Sequence, residues 1–262
     1  MLLDVKKIAI AYQGQPMVED VSFDLEAGEV LAIVGESGSG KTSVIRAILG
    51  CLSGTGKVNQ GEILFAGRNL ANLSNKEWLS LRGKDIAMIF QDSGNMLNPV
   101  QTIGRQFVEY LQLHSSLKKG EAQKKASSLL SRMNLPDPQR VMESYPFELS
   151  GGMRQRVGIA MALAFAPKLL LADEPTSALD VTTQAQIVEE LMQVVQEAGA
   201  AMIIVTHNIG VAAHMADKIM VMSGGRVVEY GATAEVIDHP QAEYTRSLLA
   251  AVPEIGGHRY VG

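Results

Sequence analysis

Apolar and polar positions alternate in the runs LLDVKKIAI and MVEDVSFDLE near the start of the chain, and this alternation predicts half-buried antiparallel strands. A third strand-like run, GEILFAG, lies in the same first quarter. Between them the pattern changes. Val30 to Val34 is apolar at every position, ends at a glycine-rich turn and leads into TSVIRAILG, whose apolar spacing is helical. A continuous run of this kind predicts a buried parallel strand followed by a helix. Similar runs recur at IAMIF (86–90), LLLAD (169–173) and AMIIVTH (201–207). Together they predict an α/β fold, with one mainly parallel sheet covered by helices and a small antiparallel sheet alongside.

From Gly94 to Glu148 the pattern is helical, in TIGRQFVEYLQLH and GEAQKKASSLLSRMNL, and no buried strand follows before Leu169. The stretch at about 94–166 therefore reads as a helical lobe inserted into a single domain. The core would comprise about 1–93 and 167–235, and the tail about 236–262. Pro136 and Pro138 interrupt the second helical pattern, and YPFELSGG leads to a further helix at about 153–166. The lysines near 118–125 read as a solvated helix face.

Composition narrows the classes. A chain of 262 residues, 47% hydrophobic, can bury a sizeable core. Its longest apolar run, Val157 to Pro167, falls far short of the roughly 20 residues of a spanning helix, so work at a membrane would require docking onto other subunits. The opening MLLDVKKIAIAY has no small-residue cleavage site and does not read as a signal peptide. The net charge of −5 argues against nucleic acid as the main partner. Cys51, alone, forms neither an internal disulfide nor a cysteine metal cluster, which suits a reducing cytosolic compartment.

Residues 35–42, GESGSGKT, fill every specified position of the phosphate-loop pattern in the required place, after an apolar strand and at the opening of a helix. Gly35, Gly38 and Gly40 let the backbone through Glu36, Ser37 and Ser39 turn its N–H groups inward, and the helix start adds its positive end. Lys41 would reach the β and γ phosphates of ATP, and Thr42 would present its hydroxyl to Mg²⁺. The run LLLADEP ends in Asp173 and Glu174. Alone, two such acids are usually solvated charges at a loop entry. Paired with a phosphate loop, Asp173 suits Mg²⁺ contact and Glu174 suits the general base that polarises an attacking water.

LSGGM at 149–153, between these two motifs, resembles the signature of ABC ATPases, usually LSGGQ; it departs from it at Met153, a form familiar in the peptide- and nickel-importing branch. The resemblance covers essentially the whole chain and implies a phosphate-loop NTPase fold of ABC type. Ser150 looks like a helix N-cap, and Gly151 with Gly152 would give a second γ-phosphate grip, closing in the family on the ATP of an opposing subunit. Tyr12 resembles the aromatic that stacks on adenine, and Gln91 the glutamine linking metal and water to the helical lobe. SALD at 177–180 resembles the loop crossing the dimer interface, and His207 the γ-phosphate sensor.

HPQAEYTRSLL at 239–249 and YPFELSGGMRQR at 145–156 resemble ATPase subunits of oligopeptide, dipeptide and nickel importers. The implied partners are two transmembrane permease subunits, a second ATPase subunit, same or homologous, and indirectly an extracytoplasmic solute-binding protein, with no nucleic acid. The implied location is peripheral, on the cytoplasmic face of the inner membrane. Longer peptide-type members carry a cysteine-containing extension after this segment; the sequence stops at Gly262 without one, so no iron–sulfur cluster is expected and the tail resembles the nickel type slightly better. The competing readings are a soluble scaffold ABC ATPase of iron–sulfur cluster assembly, against which HPQAEYTRSLL argues, and a small-molecule kinase, which leaves LSGGM, SALD and His207 unexplained.

Overall fold

A computed structural model describes residues 1–91, 93–176, 181–251, 254–255 and 258–259. In chain order its strands and helices begin with β1 (Leu3–Tyr12), β2 (Gln15–Leu25), β3 (Val30–Val34), α1 (Lys41–Ile48), β4 (Lys57–Phe65), β5 (Arg68–Asn69) and α2 (Asn75–Leu81). Then come β6 (Ile86–Ile89), α3 (Ser93–Met96), α4 (Ile103–His114), α5 (Lys119–Arg132), α6 (Pro138–Glu143), α7 (Gly151–Ala162), β7 (Leu169–Asp173) and α8 (Val181–Ala198). The chain continues through β8 (Ala201–Thr206), α9 (Ile209–Met215), β9 (Lys218–Ser223), β10 (Arg226–Ala232), α10 (Thr233–Asp238) and α11 (Glu243–Ala250). It divides into two compact units, residues 1–77 with 201–262, and residues 78–200.

In the first unit the alternating runs are strands of an antiparallel sheet ordered β2-β1-β4-β5, with Leu3 opposite Leu25 and Val5 opposite Phe23. The continuous apolar runs behave differently. β3 and β8 are buried along their whole length and pair in parallel, Val30 with Met202 through Val34 with Thr206. β9 adds in parallel on the other side of β3, and β10 pairs antiparallel to β9. α1 lays Val44, Ile45 and Ile48, all fully buried, against β1, β2, β4 and β8. Each such side chain removed from water contributes about 1.5–3 kcal/mol, which fixes the helix start relative to β3. Lys218 at the start of β9 donates to Asp24 and to Glu29, both at 3.0 Å. Burial opposes its charge, but the two carboxylates outweigh that and hold its pKa above the usual lysine value.

In the second unit β6 and β7 form a parallel pair, Ile86 with Leu169 through Ile89 with Ala172. The connection between them holds the helices that the periodicity of 94–166 predicts. Their core is built from the fully buried Ile103, Phe107, Leu111, Ala122, Ala126, Leu130 and Val157. Local chemistry sets the ends. Thr102 Oγ1 accepts from Arg105 N at 3.4 Å, Glu121 reaches back to Lys118 N at 2.8 Å, and Asp137 caps α6, with Pro138 in its first turn. Pro138 thus opens a helix as well as closing the preceding pattern.

Tyr110, His114 and Phe165 meet edge to face, with centroids 5.0–5.8 Å apart. Burial pushes the Tyr110 hydroxyl up to about 12, and it donates to Gly83 O at 3.1 Å. Burial, then the Lys84 charge, lowers the His114 pKa below 6.5. The unfolded chain therefore takes up the proton first, so stability present above the unfolded value is lost as pH falls through the folded one. His114→Phe is expected to flatten the fall of Tm between neutral and mildly acidic pH, as followed by thermal melts across that range.

Candidate nucleotide site

Residues 35–42 leave the end of β3 and run into α1. Gly35 (φ 149°) and Gly40 (φ 97°) occupy backbone that side chains rarely adopt. A Cβ on Gly35 would run into the carbonyl oxygen of Met222, and one on Gly40 would lie 2.6 Å from Val18 Cγ2. Glycine is therefore required twice by space as well as by φ. Ser39 and Lys41 are buried, and Lys41 Nζ donates to Gly35 O at 2.8 Å and Glu36 O at 2.6 Å. The ammonium is held inside the loop, at the positive end of α1, where a polyphosphate would meet both charges.

Tyr12 ends β1 and comes to the same place, its hydroxyl 3.2 Å from Ser43 Oγ in the first turn of α1. His207 follows β8 immediately after Thr206, the register partner of Val34. It thus leaves the sheet beside the strand end that opens the phosphate loop. Its turn is held by Asn208, whose side chain accepts from Gly210 N at 2.9 Å and Val211 N at 3.3 Å. The first unit gathers Tyr12, residues 35–42 and His207 around the ends of β1, β3 and β8.

The second unit holds the other set. Asp173 is 2% exposed at the end of β7, and Glu174 follows at φ 44°, left-handed backbone that costs a non-glycine residue on the order of 1–2 kcal/mol. That turn brings the Glu174 carboxylate to Gln91, whose Nε2 donates to Oε2 at 3.3 Å. Ser150 caps α7, accepting from Met153 N at 3.3 Å, with Gly151 and Gly152 in the first turn. SALD (177–180) lies outside the described residues. Thr42 and Asp173 are hard oxygen donors, the kind Mg²⁺ takes together with phosphate oxygens and water, so the donor chemistry fits that ion.

Two further residues in this unit had no sequence signal. Gln155, 5% exposed, donates to Pro175 O at 2.7 Å and ties α7 to the turn after Glu174. Arg156 pairs with Glu190 of α8 at 3.1 Å, their side chains 17% and 14% exposed. Asn134 adds a 3.0 Å bond to the same carboxylate. Among the described residues Arg156 Nε and Glu190 Oε2 find no hydrogen-bond partner. Removing one member of such a pair strands the other charge. Glu190→Ala is expected to destabilise the protein by about 3–5 kcal/mol, whereas Arg156→Met with Glu190→Leu recovers most of the loss, as denaturant unfolding would show.

A glycine-rich phosphate loop opening a helix from a buried parallel strand, in a chain with a second strand ending in Asp-Glu, defines a phosphate-loop ATPase. The chain belongs to the ABC transporter family, whose model matches residues 18–177. It is 47% identical over 259 residues to the oligopeptide transport ATP-binding protein OppD of Salmonella typhimurium, spanning 97% of this chain and 77% of that one. It is 42% identical to the dipeptide transport ATP-binding protein DppD of Lactococcus lactis, spanning 97% and 74%. Among solved structures, the ATP-binding cassette MJ0796, a dimer bound to ADP and Pi in a post-hydrolysis state, superposes with a TM-score of 0.78 at 30% identity. That match covers 88% of this chain and 99% of the cassette. ATP binding and hydrolysis are the activity of this family, and among the described residues no helix is long and apolar enough to cross a membrane.

Proposed function

We propose that the chain powers a bacterial importer of oligopeptides or dipeptides, as a peripheral subunit on the cytoplasmic face of the membrane. The observation that carries this reading is the 3.3 Å contact between Gln91 and Glu174. Gln91 stands where β6 passes into the helical region, so a movement of those helices is felt at the carboxylate that would handle water. The peptide cargo follows from the names borne by relatives 42–47% identical over nearly the whole chain.

Residues 35–42 bind the ATP phosphates, Lys41 supplies the point charge, and Tyr12 receives the base. Mg²⁺ on Thr42, Gln91 and Asp173 would offset the charge of the phosphate oxygens. Glu174 orients the attacking water and accepts its proton, and His207 donates to the γ-phosphate; phosphoryl transfer needs positioning and charge more than covalent help. Ser150, Gly151 and Gly152 serve the ATP held by a second ATPase subunit, so that ATP favours the closed pair and hydrolysis releases it. The second unit also exposes Met96, Val100 and Phe147, at 60%, 78% and 70%, which supply apolar contact for a permease.

Affinity purification of the tagged protein from gently solubilised membranes, with mass spectrometry, tests this. Two polytopic permeases, with or without a second ATPase, are expected. Recovery of soluble scaffold proteins alone would leave the ATPase chemistry and remove the importer.

A further inference from the structure

The segment Pro240–Leu249 is fastened to the first unit at several points. Glu229 on β10 accepts from the backbone N–H groups of Gln241 (2.7 Å) and Ala242 (3.0 Å), just before α11. Thr245 and Leu249 are buried. Arg246 folds back to donate to the carbonyls of Pro240 and Gln241, at 3.1 and 3.0 Å. So held, α11 places the Tyr244 hydroxyl 2.9 Å from the backbone N of Glu36, 208 residues away along the chain.

The bond falls on a particular peptide. The Glu36 N–H and the Gly35 carbonyl belong to one planar unit. Tyr244 Oη accepts at one edge of that plane, and Lys41 Nζ donates to the other at 2.8 Å. The Glu36 side chain is held as well, its Oε1 accepting from Ser223 Oγ at 3.2 Å at the end of β9. A hydrogen bond at the N–H strengthens the carbonyl as an acceptor, and rotation of the plane would move the oxygen that Lys41 rests on.

We propose that Tyr244 is a positioning residue for ATP binding: through the Gly35–Glu36 peptide, α11 sets the phosphate loop and the placement of Lys41. The C-terminal segment therefore tunes ATP affinity without touching nucleotide. The proposal rests on reading residues 35–42 as the phosphate cradle. Glu36 is exposed, so water takes over part of the lost bond when the hydroxyl is removed, and the effect is that of one neutral hydrogen bond.

The test uses the purified full chain, with equilibrium ATP binding, KM and kcat for hydrolysis, and thermal melting. Tyr244→Phe is expected to weaken ATP binding and raise KM roughly three- to tenfold, with kcat within twofold and the melting temperature lowered by no more than about 2–4 °C. Glu229→Ala, which frees the start of α11, is expected to raise KM in the same direction. An unchanged KM in either variant, or a fall in kcat alone, overturns the proposal. Lys41→Ala separates the two levels: if it binds ATP normally, the cradle itself is misassigned, whereas loss of binding there with normal KM in Tyr244→Phe overturns only the role of the C-terminal helix.

Discussion

Lys41→Ala is expected to weaken ATP binding by about 10²–10⁴-fold, as equilibrium titration with labelled ATP would show. The size follows from what the side chain does. Its ammonium is buried, held by the Gly35 and Glu36 carbonyls at 2.8 and 2.6 Å, and lies at the positive start of α1. Charge-assisted bonds to phosphate contribute about 1.5–3 kcal/mol each, and two of them account for the loss. The fold is expected to survive, because α1 stays anchored by Val44, Ile45 and Ile48. Far-ultraviolet circular dichroism of the variant checks that the lost affinity is local.

Glu174→Gln is expected to retain ATP and lower turnover by about 10²–10⁴-fold, the range for loss of a positioned acid–base group. Glutamine keeps the shape and the left-handed turn at φ 44°, and it can still meet Gln91 across 3.3 Å. It cannot take a proton from water. Steady-state phosphate release measured beside nucleotide binding separates the two effects, and normal turnover would remove Glu174 from the role of base. With hydrolysis stalled, ATP should drive association with an identical or homologous partner, visible by size-exclusion chromatography.

The parts of the fold legible in the sequence are those whose burial leaves a local mark. β3, β7 and β8 are each buried at every position, so each reads as an unbroken apolar run. The glycines at 35 and 40 mark backbone no other residue fits, which is why the phosphate loop stands out. By contrast, the first six residues of β4, 57–62, are exposed, and β10 is an edge strand with no cleanly buried face, so neither declares itself by alternation. α6 hides behind Pro138, which signals a stop and here starts a helix.

Positioning contacts of the site were less legible. Gln155 and Arg156 are polar residues near the start of α7, yet they bond to Pro175 and Glu190. Their partners lie 20 and 34 residues on, beyond the reach of any helical period. Tyr244 is further still from Glu36 in sequence, and only the closure of β9, β10 and α11 onto β3 brings them together. The exposed apolar Val100 and Phe147 likewise carry no pattern, because an exposed position is not constrained by the core of its own chain.

The most direct measurement is made on the complex captured with its permeases, reconstituted into vesicles with ATP on the side that carries this subunit and labelled oligopeptide, with its binding protein, on the other. Peptide accumulation that requires ATP and disappears when Glu174→Gln replaces the native chain is the expected result. Continued ATP hydrolysis by the native complex with no movement of peptide would contradict the peptide-import assignment.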